Sequence, residues 1–330
     1  MAGLALTDLP APQADFGARV VNALREEVWL TPKPGLVDSA NNGAHRDMDL
    51  PLFLRSIDAI EPWLRQFVTL GQQDAQQPAD AMLMRIRPAG LACEQAMFTA
   101  TDGVNTHKGG IFSFGLLCAA AGRLAGRRQP LTRHALCAEV AAMCRGLVER
   151  ELRSCRHPVT AGERLFQAHG LTGARGEAQS GFLTLRRHVL PHWFKQSDPE
   201  RRRLDALLRL MAWNPDTNLV ARGGLSGLHY VQRYARRLLA QGWRKEDLQE
   251  MDRALIARHL SPGGSADLLA IATVLAAFPS GPTDCELRVG GERSAADKCM
   301  PRYASYDEPA AETSREAAAD SAPGLRRPER

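Results

Sequence analysis

"TDGVNTHKGG" (101–110) runs without a break into "IFSFGLLCAAAGRL" (111–124). The second stretch is apolar almost throughout and shows no two-residue alternation. It reads as a helix over roughly 110–125, buried in the interior of an α-rich fold. The first stretch reads like a phosphate loop with its parts out of order. Lys108 and the amides of Gly109 and Gly110 fall at the helix start, where backbone N–H groups and the dipole stabilise an anion. A capped helix start with a solvated lysine fits the same residues equally well.

Outward from this pair, the pattern repeats. Phe16, Val20, Leu24 and Val28 mark one helix face, with Asp15 as a possible cap, and "TPKPG" (31–35) stops that helix. A second helix begins near Asp49, a plausible N-cap, with Leu50, Phe53, Leu54, Ile57 and Ile60 as its stripe. Further helical patterns cover roughly 89–101, 132–150, 177–194, 200–213, 223–241, 245–259 and 265–277. "NNG" (41–43) lacks the flanking alternation of a hairpin and reads as a loop between helices. The expected fold is all-α: one multi-helix globular domain over 15–279, with a loose stretch at 1–14. Residues 280–330 are rich in Pro, Ala, Glu, Ser and Arg and read as a disordered tail.

Composition narrows the class. The chain has 330 residues, 44% of them hydrophobic, and a net charge of +5. That charge suits an anionic small substrate, but it is too diffuse to argue for nucleic acid. The seven cysteines contain no CxxC and fit no zinc spacing. Cys137 and Cys144 share a helix face with Val140, Ala141 and Val148 and read as reduced core residues. No segment looks apolar for long enough to cross a bilayer, and no leader pattern opens the chain. A cytoplasmic location with no membrane partner is expected.

The joints between helices carry more chemistry than a connection needs. "TPKPGLVDSANNGAHRDMD" (31–49) holds Lys33, Asp38, Asn41, His45, Asp47 and Asp49. "HGLTGARGEAQSG" (169–181) holds Arg175 and Glu177, with Arg175 read as just before a helix opened by Glu177. "DTNLVARGG" (216–224) holds Asp216 and Arg222, and "SPGGSAD" (261–267) holds Ser261, Ser265 and Asp267. Asp38, Asp47 and Asp49 are candidate oxygen ligands for Mg²⁺ arriving on a nucleotide. Helix capping and solvated surface account for the same aspartates. His188 and His192 have the i,i+4 spacing of a metal pair, but Pro191 lies between them and they read as surface residues. GxxxxGK[ST], GxGxxG and GxSxG are all missing, so a nucleotide here would not sit on a P-loop.

Taken in order, five blocks resemble the triphosphoribosyl-dephospho-coenzyme A synthase family. They are "LTPKPGLVDSANNGAHRDMDLPLFLRSI" (30–57), "RPAGLACEQAMFTATDGVNTHKGGIFSFGLLCAAAGRL" (87–124), "HGLTGARGEAQSGF" (169–182), "DTNLVARGGLSGLHYVQ" (216–232) and "LSPGGSADLLA" (260–270). The resemblance spans roughly 16–279. It implies an all-helical enzyme that breaks the ribose–adenine bond of ATP. The triphosphoribosyl group then passes to the ribose 2′-hydroxyl of 3′-dephospho-coenzyme A, and adenine is released.

The product is the precursor of an acyl-carrier prosthetic group and goes to a holo-acyl-carrier-protein transferase. The 31–49 form is more similar to the citrate lyase branch than to the malonate decarboxylase branch. On this resemblance Lys33, Lys108 with Gly109 and Gly110, Arg175 and Arg222 would grip the triphosphate, with Mg²⁺ on some of Asp38, Asp47 and Asp49. Glu177 or Asp216 would be the base, and His107 would hydrogen-bond adenine or the acceptor. A non-catalytic nucleotide or coenzyme A binder is the alternative.

Overall fold

Phe16, Val20, Leu24 and Val28 are all buried along α1 (Phe16–Trp29), as their spacing requires. This computed structural model describes residues 16–281. The Asp15 cap, the loose stretch at 1–14 and the tail beyond Gly281 lie outside the described residues.

Helix α2 (Leu50–Gln73) starts where expected: Asp49 accepts a hydrogen bond from the Leu52 amide at 2.8 Å. It is followed by α3 (Met82–Ala100), which begins seven residues earlier than its pattern suggested and carries Pro88 inside. Then comes α4 (Lys108–Gly126), buried from Gly110 almost to its end. It packs against α2, α3 and α1, and forms the centre of the core. α4 does have the length and apolarity to cross a membrane, contrary to the sequence expectation. Most of it is enclosed by other helices, so its hydrophobicity is that of a core element.

The α2–α4 crossing is unusually close. A Cβ on Gly71 would stand 2.1 Å from the Ala119 carbonyl oxygen, and one on Gly122 would stand 2.0 Å from that of Val68. The two backbones touch because neither glycine has a side chain.

The second half departs from the expected spans. α5 (Arg133–Met143) stops at Cys144 rather than reaching 150, because Gly146 adopts φ 71 and turns the chain. A π-helical turn follows at Glu149–Arg153. α6 (Ala161–His169) falls where no helix was expected. A capping box between Thr160 and Glu163 opens it and Gly170, at φ 70, closes it.

The single helix expected over 177–194 is broken. α7 (Gly173–Gln179) ends before Gly181 and Phe182, both at positive φ, and a π-turn at Leu185–Val189 leads into the short α8 (Leu190–Trp193). Arg175 and Glu177 therefore both lie inside α7. The remaining helices are α9 (Pro199–Trp213), α10 (Thr217–Gln241), α11 (Lys245–Ile256) and α12 (Gly263–Ala276). α10 starts at the Asp216 cap, earlier than expected, and kinks at Gly224 (φ 62, ψ −170). Among the described residues there is no strand.

Candidate active site

Three long helices point their N-termini at one place. The starts of α4 (Lys108, Gly109), α10 (Thr217, Asn218) and α12 (Gly263, Gly264) all line a polar cavity of about 180 Å³. Glu177, Asp216 and Asn105 complete much of its wall. Helix N-termini carry partial positive charge, which favours an anion here, although Asn105 already accepts from the Lys108 amide and Asp216 from those of Asn218 and Ser265.

A second cavity, about 260 Å³, has Leu24, Leu36, Val37, Met48 and Phe53 as apolar walls. Glu27, Lys33, His45, His107 and Arg222 add polar groups to it. The cavities meet along a seam, because Asn105, Thr106, Asn218, Gly263 and Asp267 line both.

The site histidine is held for one purpose. His107 is 3% exposed, and its Nδ1 lies 2.7 Å from the Ser56 hydroxyl, which is itself 2.6 Å from that of Thr106. Phe53 meets the ring edge-on. The other nitrogen, Nε2, is buried without a hydrogen-bond partner. A buried polar atom left unpaired is destabilising unless a ligand satisfies it. Burial, with the Lys33 charge nearby, pushes the imidazole down to about 3, so it is neutral at neutral pH. His45 is likewise pushed down, to about 4, by burial and by Arg222.

An acid-stability prediction follows. In the unfolded chain both histidines take up protons below about pH 6.5, whereas the folded protein resists until much lower pH. Stability is therefore fully present above pH 6.5 and is lost as pH falls from there towards about 3. The slope is on the order of 1.4 kcal/mol per pH unit for each histidine. Urea unfolding at several pH values between 7 and 4.5 should show His107→Gln with the flatter dependence. Parallel curves for the two proteins would reject the assignment.

The cations proposed from sequence have differing fates. Lys33 is 2% exposed and donates from Nζ to Glu27 Oε1 at 2.6 Å, so it enters the apolar-walled cavity as half of an ion pair. Lys108 lines the polar cavity and pairs with Glu94 at 2.8 Å. Arg222 donates to the Ala44 carbonyl and reaches His45 Nδ1 at 3.0 Å, tying the 31–45 loop to α10. Arg175 lines neither cavity and is engaged by Glu151 and Glu163. It is not brought to the polyanion site, because α7 turns it towards the 149–163 segment.

The Mg²⁺ set needs correction as well. Asp38, Asp47 and Asp49 line neither cavity. Asp38 accepts from the amides of Lys33, Ala40 and Asn41 and shapes the loop. Asp49 caps α2, and Asp47 is exposed beside His45. Among the described residues no three His, Cys, Asp or Glu are arranged to hold a metal ion.

Of the candidate bases, Asp216 is the more fully engaged. It accepts from the Asn218 and Ser265 amides and from the Ser265 hydroxyl. Glu177 accepts only from Thr184, at 2.5 Å from the hydroxyl, and burial raises its carboxyl above the ordinary range.

Two carboxylates escaped the sequence reading. Glu27 sits next to the apolar stripe of α1, and an acid beside Leu24 and Val28 was the available signal. Asp267 was noted in "SPGGSAD" without a role. In the fold it lies on the seam, against Gly109 and Gly110. A Cβ on either glycine would come within 2.9 or 2.8 Å of its oxygens. Glycine at 109 and 110 thus makes room for a carboxyl group.

A polar cavity at three helix N-termini thus adjoins an apolar-walled one that holds an unpaired imidazole nitrogen. A protein from Pectobacterium carotovorum called a probable 2-(5''-triphosphoribosyl)-3'-dephosphocoenzyme-A synthase is 57% identical over 81% of this chain and 90% of its own length. The synthase of that name from Klebsiella pneumoniae is 50% identical over 82% and 93%. No solved structure matches the chain. With the family profile aligning to residues 13–284, across every helix that builds the two cavities, the chain belongs to the ATP:dephospho-CoA triphosphoribosyl transferases.

Proposed function

We propose that the protein transfers the 5-triphosphoribosyl group of ATP to the 2′-hydroxyl of 3′-dephospho-coenzyme A and releases adenine. The observation that carries this is the seam between two unlike cavities. The triphosphate goes to the cavity where three helix N-termini converge, with Lys108 beside it. Adenine goes to the apolar-walled cavity, where His107 Nε2 supplies the missing hydrogen bond. The scissile bond between ribose and base then lies at the seam. A kinase must present its γ-phosphate to an acceptor, whereas here C1′ is the carbon to be exposed.

Glu177 is the base for the acceptor hydroxyl, since it lines the polar cavity, accepts from Thr184 alone among the described residues, and is raised above the ordinary carboxylate range. Asp38, Asp47 and Asp49 do not fit a resident metal site. Mg²⁺ enters as part of the substrate MgATP, and no step is assigned to it. The similarity of the 31–49 block to the citrate lyase branch supports citrate lyase as the destination, through a holo-acyl-carrier-protein transferase. Buried thiols at Cys93, Cys118 and Cys144 are consistent with a reducing cytoplasm.

The test is direct. Purified protein is incubated with MgATP and dephospho-coenzyme A, and free adenine is followed by chromatography. One adenine per coupled product is expected. Both substrates bound with no adenine released would leave a nucleotide or coenzyme A binder instead. Supplying the product to the carrier subunits of citrate lyase and of malonate decarboxylase, each with its transferase, separates the two destinations.

A further inference from the structure

Asp267 has the least satisfied carboxyl group in the site. It lines both cavities, and among the described residues no hydrogen-bond donor reaches it. Asp216 and Glu177, the other acids of the polar cavity, are held by Ser265, Asn218 and Thr184. Resting on the transferase reading, we propose that the Asp267 carboxyl is the acid that protonates adenine as it leaves C1′.

Its surroundings fit an acid. Loss of contact with water is the main reason the group is held well above the ordinary carboxylate range, and the negative charges of Glu27 on α1 and Asp216 at the start of α10 add to it. Lys33 and Glu27 offset each other as an ion pair, which leaves Asp216 the unpaired acid beside Asp267; Lys108 pairs with Glu94, and His107 is neutral. Glu177 lines the polar cavity and Arg222 the apolar-walled one. On α4 the neighbours are Gly109 and Gly110, which bring no charge of their own. A carboxyl shielded from water beside Asp216 holds its proton more tightly than an exposed one, and it stands at the seam, where the base departs.

The step balances. The 2′-hydroxyl oxygen bonds to C1′ while the C1′–N9 bond breaks, and that electron pair goes to adenine. The Asp267 proton passes to a ring nitrogen of adenine, which leaves neutral. The hydroxyl proton passes to Glu177. Water then restores the proton on Asp267 and removes the one on Glu177.

The experiment compares full-length wild type with Asp267→Asn, using two donors. One is MgATP. The other is the triphosphate of nicotinamide riboside, whose pyridinium base leaves neutral without taking a proton. With ATP the variant should lose roughly a hundred- to ten-thousand-fold in turnover, the usual worth of a general acid. With the pyridinium donor it should stay within about fivefold of wild type, since that departure needs no acid. ATP affinity by calorimetry should hold, and Tm should equal or exceed wild type, because an acid without a hydrogen-bond donor beside other acids is removed.

Equal loss on both donors, loss of ATP binding, or a Tm drop beyond about 5 °C would each overturn the role. Should wild type refuse the pyridinium donor, the pH profile with ATP decides. The alkaline fall in kcat belongs to Asp267, and its persistence in Asp267→Asn rejects the proposal. Wild type that releases no adenine from ATP fails the transferase reading itself, a result distinct from any defect of the variant.

Discussion

Gly122→Ala is expected to destabilise the protein by about 4 kcal/mol or more, and Gly122→Leu to yield no folded protein. The reason is the α2–α4 crossing, where the Gly122 Cα faces the Val68 carbonyl and the Gln72 amide. Overpacking against side chains is relieved by new rotamers, at roughly 1–3 kcal/mol. Here the obstacle is backbone at 2.0 Å, so relief means moving two central helices apart. That motion opens the core around Phe67, Leu64 and Leu117. Circular dichroism melting of Gly122→Ala measures it. A Tm within about 2 °C of wild type would show that the crossing yields easily.

The second large effect is expected at Glu27. Glu27→Ala leaves the Lys33 ammonium without its partner at 2% exposure. Breaking a buried pair from one side costs about 3–5 kcal/mol, whereas replacing both partners with apolar side chains is often neutral. Urea unfolding should place Glu27→Ala in that range. Glu27→Leu combined with Lys33→Met should recover to within about 1 kcal/mol of wild type. Adenine release should remain lost in the double variant, because both residues line the apolar-walled cavity. An unchanged unfolding midpoint for Glu27→Ala would mean that the pair adds little. Recovered adenine release in the double variant would detach the pair from function.

The helices were legible where periodicity and caps agreed, as at the α1 stripe and at Asp49. They were less so where the chain turned without a polar joint. Gly146 and Phe182 take positive φ inside apolar pattern, and Phe182 carries no sequence signal for it. α6 had its signal in Thr160 and Glu163, but the glycine-rich joint beside it drew the reading away. The site was legible as a set of joints, not as an arrangement. Lys33, Lys108, His107, Glu177, Asp216 and Arg222 do line the cavities. Arg175, Asp38 and Asp49 belong to the same motifs, yet their side chains hold loops and helices in place, and Asp47 is exposed beside His45. Sequence proximity cannot separate these jobs, because the difference lies in which way α7 and the 31–49 loop present each side chain. Glu27 and Asp267 acquire meaning only from each other, across 240 residues of chain.

The lateness of α12 in the chain bears on synthesis. Gly263, Gly264 and Asp267 come from this last described helix, and Ser265 anchors the Asp216 cap of α10. A nascent chain can assemble α1 to α4 and their tight crossing early, since those helices pack on one another. It lacks the floor of both cavities until residue 267 has emerged. Nucleotide capture is therefore among the last abilities the growing polypeptide gains. A ribosome-stalled fragment ending before Gly263 should hold the α2–α4 crossing, leave uncovered the faces of α1 and α9 on which α12 packs, and be blind to ATP.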